Sequence, residues 1–462
     1  MDNKEEKIKK SLKYSIIDGA FYSMMIGFGE SFFAVFAVFL KATNLQLGLL
    51  SSLPQTLGSL FQMFTNRLIK LFKSRKKLVY ISVLLQALMY IPVALVFFFG
   101  TFRVMHLIIF LCLYWVFGTI ANPAWNSWIG DLVNKKERGS YFGRRNRVTG
   151  FLSFASLLAA GYILQRFSSS VSMEYLGFVV IFLLAMFSRM MSFIYLMKAY
   201  EPEYTTDPES HFSFIDFIKQ ARFRNYGLFV IYLCFINFGV YVSAAFFTPY
   251  MLYELKLSYG IFTIITAAAM IMKFIMMPIW GNLSDKYGTK KVLTLTGFLM
   301  PVVPVLWIFS VNIWYLILIQ LYSGFIWAGF DMASFNFIFD STSSKKRTTC
   351  VAYYNVLNGM AILLGAVAGG LIVKYNNLFW SKYFLVFIIS FMLRYIASLI
   401  FIPKIREVRV VEEISHRKLL LKAFTAMPTR GLIYNIITLR KKKQGTKINR
   451  LNLRFRFKIK KD

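Results

Sequence analysis

Apolar residues run along this chain in long blocks, each broken by a short turn rich in Lys, Arg, Gly, Asn and Ser. A block of roughly twenty residues is enough to cross a bilayer as a helix. The pattern predicts twelve such helices, over about 14–40, 45–72, 77–100, 104–131, 146–165, 174–198, 225–252, 259–284, 290–310, 313–340, 350–373 and 380–403. Basic residues then set the orientation. The N-terminus, Arg67–Lys77, Lys135–Arg147, Lys198–Arg224, Lys286–Lys291 and Lys345–Arg347 share one side, while the opposite loops hold only Lys41, Arg103, Arg166, Lys256, Lys374 and Lys382. This asymmetry predicts that both termini are cytoplasmic.

The chain also repeats itself. A shift of 209 residues places Asp131 on Asp340, Arg138 on Arg347, Asn146 on Asn355 and Gly150 on Gly359, and a shift of 205 places Arg189 on Arg394. Two related halves follow, a frequent plan among transporters. The expected organisation is an N-terminal six-helix bundle over 1–198, a cytoplasmic linker over 199–224, a C-terminal six-helix bundle over 225–403 and a basic cytoplasmic tail over 404–462. The linker starts acidic and proline-containing, and its amphipathic piece from Phe212 to Phe223 should lie at the membrane surface.

Composition agrees with this reading. Hydrophobic residues make up 57% of the 462, which is too apolar for an ordinary soluble fold. The formal charge of +33 would suit a nucleic-acid binder, but the basic residues sit between spans and in the tail, so topology explains them and no nucleic-acid partner is expected. Cys112, Cys234 and Cys350 are scattered, as are the three histidines, and offer neither a disulfide framework nor a metal site. No GxxxxGK phosphate loop occurs, so ATP-driven transport within the chain is not expected. No cofactor is implied, and no enzyme constellation gathers at one depth. A charged start running into an overlong span predicts no cleaved signal.

The most specific stretch is GNLSDKYGTKK, a charged turn between two long apolar runs. It resembles the cytoplasmic loop signature of the major facilitator superfamily, whose places are held here by Gly281, Leu283, Asp285, Lys286, Gly288, Lys290 and Lys291. Helix count, halves and linker fit the same family over residues 14–403. The glycine permits close backbone approach, the aspartate suits the positive end of an adjacent helix, and the lysines hold the turn on the cytoplasmic side. The corresponding first-half loop, Thr65–Lys77, keeps the basic cluster but has no aspartate or glycine, which puts a first-half latch in doubt.

The resemblance implies an all-α integral membrane fold of two pseudo-symmetric six-helix bundles, working as a secondary transporter that moves a small organic solute by alternating access. It also implies a multi-pass protein of a plasma membrane of the bacterial inner-membrane kind, active as a monomer. Helices one, four, seven and ten would line the cavity and helix eight would border it.

Charges within spans are costly and mark functional candidates. Glu30 lies 17 residues past Lys13 and 11 before Lys41, Lys273 is near the middle of the eighth span, and Asp331 is in the inner third of the tenth. Glu30 and Asp331 are candidate proton- or substrate-contacting carboxylates, with Lys273 as counter-charge. The plain alternative is a buried pair that only fixes packing. Asn122, Trp125, Asn126, Asn237, Tyr241 and Trp327 add amides and aromatic faces that suit sugars, nucleosides or planar solutes. With 49 Phe and 26 Tyr in the chain, they can equally reflect general composition.

Asp131, Arg138, Asp340 and Arg347 stand at helix ends and are expected to pair in gating or structure, whereas Arg189 and Arg394 are expected to be scaffold. The tail holds 18 Lys and Arg against four acidic residues, and its final RLNLRFRFKIK alternates with period two, which suits contact with anionic lipid. A lipid scramblase and a non-transporting solute sensor on the same fold remain the alternatives.

Overall fold

The computed structural model describes residues 2–134, 138–202, 214–221, 223–342 and 344–425. Among these the regular structure is entirely helical. In chain order the α-helices are α1 (Asp2–Phe28), α2 (Phe33–Phe39), α3 (Asn44–Gln62), α4 (Thr65–Phe72), α5 (Arg75–Leu88), α6 (Tyr90–Leu95), α7 (Arg103–Leu132), α8 (Arg138–Arg166), α9 (Val171–Lys198) and α10 (Phe214–Ala221). The second half continues with α11 (Asn225–Ala244), α12 (Phe247–Pro249), α13 (Tyr259–Tyr287), α14 (Thr289–Leu299), α15 (Val302–Leu306), α16 (Ile313–Ser341), α17 (Ser344–Tyr375), α18 (Phe384–Phe401) and α19 (His416–Thr425).

Eleven described stretches are long and apolar enough to cross a membrane. The expected second span falls on α3, which is not among these eleven and whose 19 residues carry Gln46, Ser51, Ser52, Gln55, Thr56 and Ser59. Most of these groups bond within α3 itself, while Thr56 donates to Gly359 of α17 and Gln55 accepts from Tyr241 of α11, both in the other half. Several expected spans are broken, and two of the breaks have clear local causes. The span expected over 45–72 is two helices, since the chain turns at Met63–Phe64 and α4 continues separately with Arg67 and Lys70 exposed. The span expected over 290–310 breaks at Met300–Pro301, where proline cannot donate the next helical hydrogen bond.

Most boundaries have a local chemical reason. Thr43 caps α3 by accepting from the Gln46 amide at 3.3 Å, while the Gln46 side chain accepts from the Thr43 amide at 2.8 Å. Ser74, Ser170 and Ser258 cap α5, α9 and α13 in the simpler way. Gly288 ends α13 at φ +96°, a backbone conformation that other residues rarely adopt.

Within the N-terminal half α1 packs on α8 and α9, α3 and α5 pack on α7, and α5 packs on α9. The C-terminal half repeats this plan with α11 on α17 and α18, and α13 and α14 on α16. The halves meet along two seams, α3 with α17 and α8 with α13. Glycines let the backbones close up: a Cβ on Gly48 would stand 2.6 Å from the Ala366 carbonyl oxygen, and one on Gly161 would stand 2.2 Å from Thr263 Oγ1. Thr56 Oγ1 donates across the first seam to the Gly359 carbonyl at 2.7 Å, and Asn355 Nδ2 donates to Gln62 Oε1 at 3.0 Å. The linker helix α10 lies on the C-terminal half, with Phe217 against Tyr226 and Tyr353.

Inside the second half, a Cβ on Gly365 would sit 2.3 Å from the Phe238 carbonyl oxygen of α11. Gly365→Ala is therefore expected to cost on the order of 1–3 kcal/mol through forced helix separation. A lowered unfolding midpoint in detergent, with the monodisperse elution profile retained, checks this.

Candidate functional site

Helix α1 does not run unbroken into α2. Between them Glu30–Phe32 form a 3-10 turn, with the Phe32 amide donating to Gly29 O at 2.9 Å. The corresponding crossing of the second half breaks at Ala245–Phe246 and resumes as α12 and a π-turn over Tyr250–Glu254. Discontinuous helices free backbone groups and turn side chains into the protein, and transporters place binding groups at such points. Glu30 sits in the first break. Tyr114 Oη of α7 donates to Glu30 Oε1 at 2.7 Å, and Tyr90 Oη donates to Tyr114 Oη at 3.2 Å. Gly29 makes room for this, since a Cβ there would stand 2.2 Å from Tyr90 Oη.

Lys273 and Asp331 lie together in the other half, Nζ to Oδ2 at 2.5 Å. Their side chains are 40% and 36% exposed, so the pair contributes no more than about 1 kcal/mol to stability. Nearby polar groups come from α11, α17 and α3. Asn237 Nδ2 donates to Asn358 Oδ1 at 2.6 Å, and Tyr241 Oη donates across the halves to Gln55 Oε1 at 3.0 Å. Trp327 is half-buried with its ring edge-on to Phe330. Asn122 and Asn126 are exposed on one side of α7, and Trp125 between them lies beneath the Arg145 guanidinium, 4.4 Å from ring centroid to Cζ.

Some polar groups here were not singled out from the sequence. Asp18 of α1 is 3% exposed and accepts from Ser192 Oγ at 2.6 Å, with Arg145 Nη2 3.7 Å from its other oxygen. Arg189, expected from the sequence as scaffold, donates to Gln86 Oε1 at 2.9 Å and to Ser192 Oγ at 3.1 Å, and lies over the Tyr22 ring. The available signal was a carboxylate five residues beyond Lys13 in an otherwise apolar run, which a nearby helix end made look ordinary. Gln55 and Asn358 carried no sequence signal beyond being amides in a span.

At the basic end, each half has a carboxylate cluster. In the first, Arg75 Nη1 meets Asp131 Oδ2 at 2.6 Å, and Glu201 accepts from the Arg75 and Lys76 amides at 2.8 and 3.2 Å, at the N-terminus of α5. In the second, Glu407 accepts from the Lys290 amide at 2.8 Å, at the N-terminus of α14 beside Gly288. Arg409 bridges Asp340 and Asp285, at 2.7 and 2.8 Å, and these carboxylates hold its guanidinium above the ordinary range.

Two sequence expectations change here. The first-half loop, although it lacks an aspartate, supplies Arg75 to an ion-pair cluster whose carboxylates come from α7 and the segment after α9. Asp285 faces Arg409 rather than a helix end, because Glu407 already occupies the positive end of α14. Lys286 pairs with Glu412 at 3.5 Å, and Gly281 has only Met332 near its face. Lys291 is half-buried in the first turn of α14. The side chains of Arg138 and Arg347, and the tail over 426–462, lie outside the described residues. Arg394 is buried, as expected for scaffold, and donates to Ser243 Oγ at 2.9 Å.

At the opposite end the halves are tied directly. Tyr253 Oη donates to Val38 O at 2.5 Å, Tyr259 bonds Glu174, and the Gly260 amide donates to Gln165 Oε1 at 3.1 Å. A cavity of about 520 Å³ lies there, lined by Lys41, Arg103, Gln165, Glu174, Tyr253 and Tyr259 among others.

The sequence matches the Major Facilitator Superfamily twice, over residues 19–264 and 231–439. The chain belongs to that superfamily. No curated protein matches the sequence. Among solved structures, a mutant of the nucleoside transporter NupG superposes with a TM-score of 0.66 at 13% identity, covering 87% of this chain and 100% of its own. The D-xylose-proton symporter gives 0.66 at 14% identity, covering 88% and 98%. The xylose transporter XylE from E. coli, in a partially occluded inward open conformation, gives 0.65 at 13%, covering 88% and 100%. At such identities the likeness establishes the fold alone. The superfamily fold is two six-helix bundles that work as a secondary transporter.

Arg409 ties the segment after α18 to the ends of α13 and α16. Replacing it with Met leaves Asp340, 13% exposed, without its cation, and is expected to lower the unfolding midpoint. Protease cleavage after the region 405–415 should become faster at the same time, which limited proteolysis of the full chain measures.

Proposed function

We propose that this protein couples a proton gradient to the movement of a small polyhydroxylated solute, of the sugar or nucleoside kind, across a plasma membrane. The observation that carries the reading is Glu30, a carboxylate held by a tyrosine at the break in α1. A carboxylate in a span can gain and lose a proton as the site changes sides. The amides and phenols of Asn237, Tyr241, Gln55 and Asn358 supply donors and acceptors for hydroxyl groups, and Tyr241–Gln55 links the two halves where a bound solute would pull them together. The exposed Lys273–Asp331 pair completes the second half of the site.

In this reading the bundles are 1–198 and 225–403, joined by 199–224, with both termini and the tail 404–462 in the cytoplasm. The ties at Val38–Tyr253, Glu174–Tyr259 and Gln165–Gly260 close the outer end, and exposed Asn122 and Asn126 face the cytoplasmic mouth. The protein works as a monomer, and its basic tail meets anionic lipid. Nucleoside and xylose transport by the structural neighbours supports the solute class without deciding it.

The test uses the full chain in liposomes with radiolabelled uridine and xylose under an imposed pH gradient. Glu30→Gln is expected to reduce gradient-driven accumulation at least tenfold while solute exchange at equal pH persists. Unchanged accumulation by this variant would remove Glu30 from coupling. For the ion pair, Lys273→Ala alone should impair exchange more than Lys273→Ala with Asp331→Ala, because the single change leaves a carboxylate without its counter-ion.

A further inference from the structure

Asp18 and Tyr22 stand one turn apart on α1, and Glu30 follows in the 3-10 turn beyond its end. Asp18 lies at the basic end and is enclosed by four helices. Arg145 and Tyr141 of α8, Arg189 and Ser192 of α9, Trp125 of α7 and Tyr22 of α1 itself face it.

Arg145 is seated with unusual care. Its Nε donates to Ser15 O at 3.2 Å, its guanidinium covers the Trp125 ring, and Nη2 approaches Asp18. Gly19 supplies the space, since a Cβ there would stand 2.7 Å from Nη2. One side chain therefore clasps α1, α7 and α8 together beside the exposed amides of α7.

The geometry points to Asp18 and Arg145 as a protonation-operated clasp on the basic mouth of the transporter, a positioning device separate from the solute groups. It rests on the alternating-access reading above. With Asp18 ionised, two guanidinia and one carboxylate share the pocket, and Glu30 lies within electrostatic reach of Arg189. A proton from bulk water on Asp18 removes the carboxylate that Arg145 approaches among the described residues. Arg189 is 5% exposed and pinned by Gln86 and Ser192, so it stays. Arg145, 15% exposed, is the cation able to swing to water. Its departure frees Trp125 and opens the gap at Gly19, letting α7 and α8 shift against α1 and the mouth close. Loss of the proton to bulk water reverses each step.

The test is a distance measurement that needs no solute. Spin labels go on Asn126→Cys in α7 and Phe335→Cys in α16, in full chains with Cys112, Cys234 and Cys350 replaced by Ala. Pulsed electron resonance in nanodiscs at pH 8.0 and pH 5.5 should show the parent moving toward shorter distances at low pH. Asp18→Asn should give the low-pH distribution at both values, and Asp18→Glu should keep the response. Arg145→Gln, which removes the clasp from the other side, should also be unresponsive and serves if Asp18→Asn does not fold. A parent indifferent to pH overturns the clasp, as does a pH response retained in Asp18→Asn or Arg145→Gln. Absence of solute flux in wild-type liposomes would instead remove the transport reading and leave the distance result to stand by itself.

Discussion

A buried guanidinium is the constraint around which each half is arranged. Arg189 and Arg394 occupy repeated positions in α9 and α18, and both are almost fully withdrawn from solvent. Burying a charge without partners is prohibitive, so neighbouring helices must bring acceptors to it. In the second half these are modest: the Ser243 hydroxyl and, more distantly, the Val240 carbonyl at 3.4 Å. In the first half Arg189 gathers Gln86, Ser192 and the Tyr22 face, and through Ser192 it is linked to Asp18. Gly118 and Gly239 stand where a side chain would push these groups away.

From this common element the halves diverge. The N-terminal half concentrates carboxylates and cations in its interior, with Asp18, Glu30, Arg145 and Arg189 tied to α1, α7, α8 and α9. The C-terminal half presents the more exposed Lys273–Asp331 pair and the amides of α11 and α17. Under the proposed proton coupling, solvation would divide the labour between the halves. Proton-binding groups benefit from a dry, hydrogen-bonded setting where a single charge change is felt strongly, whereas solute-binding groups must be reachable by solute.

The basic-end clusters show symmetry preserved by different residues. In both halves a glutamate from the segment following the sixth or twelfth span, Glu201 or Glu407, accepts from amides at the start of a helix. In both an aspartate at the end of α7 or α16 meets an arginine. The arginine comes from the loop itself in one half and from the segment after α18 in the other. The electrostatic requirement, negative charge at a helix N-terminus and a cation on the exposed carboxylate, can be met from any strand of chain that passes by.

The hydrophobic period and the distribution of Lys and Arg by themselves determined the membrane class, the spans and the two-half plan, because transfer of twenty apolar residues into lipid is a local property summed along the chain. They also marked Glu30, Lys273 and Asp331, since a charge in an apolar run stands out without knowledge of its neighbours. Which groups meet was left to tertiary structure. Only packing put Lys273 on Asp331, placed Arg145 in the space at Gly19, joined Tyr241 to Gln55, and split the span at 45–72 at Met63–Phe64. Asp18 was hidden for the same reason: its importance lies in Arg145, Ser192 and Arg189, which come from distant points of the sequence. Energies that depend on distance and burial are fixed when helices pack, and the order of residues along one helix carries little record of them.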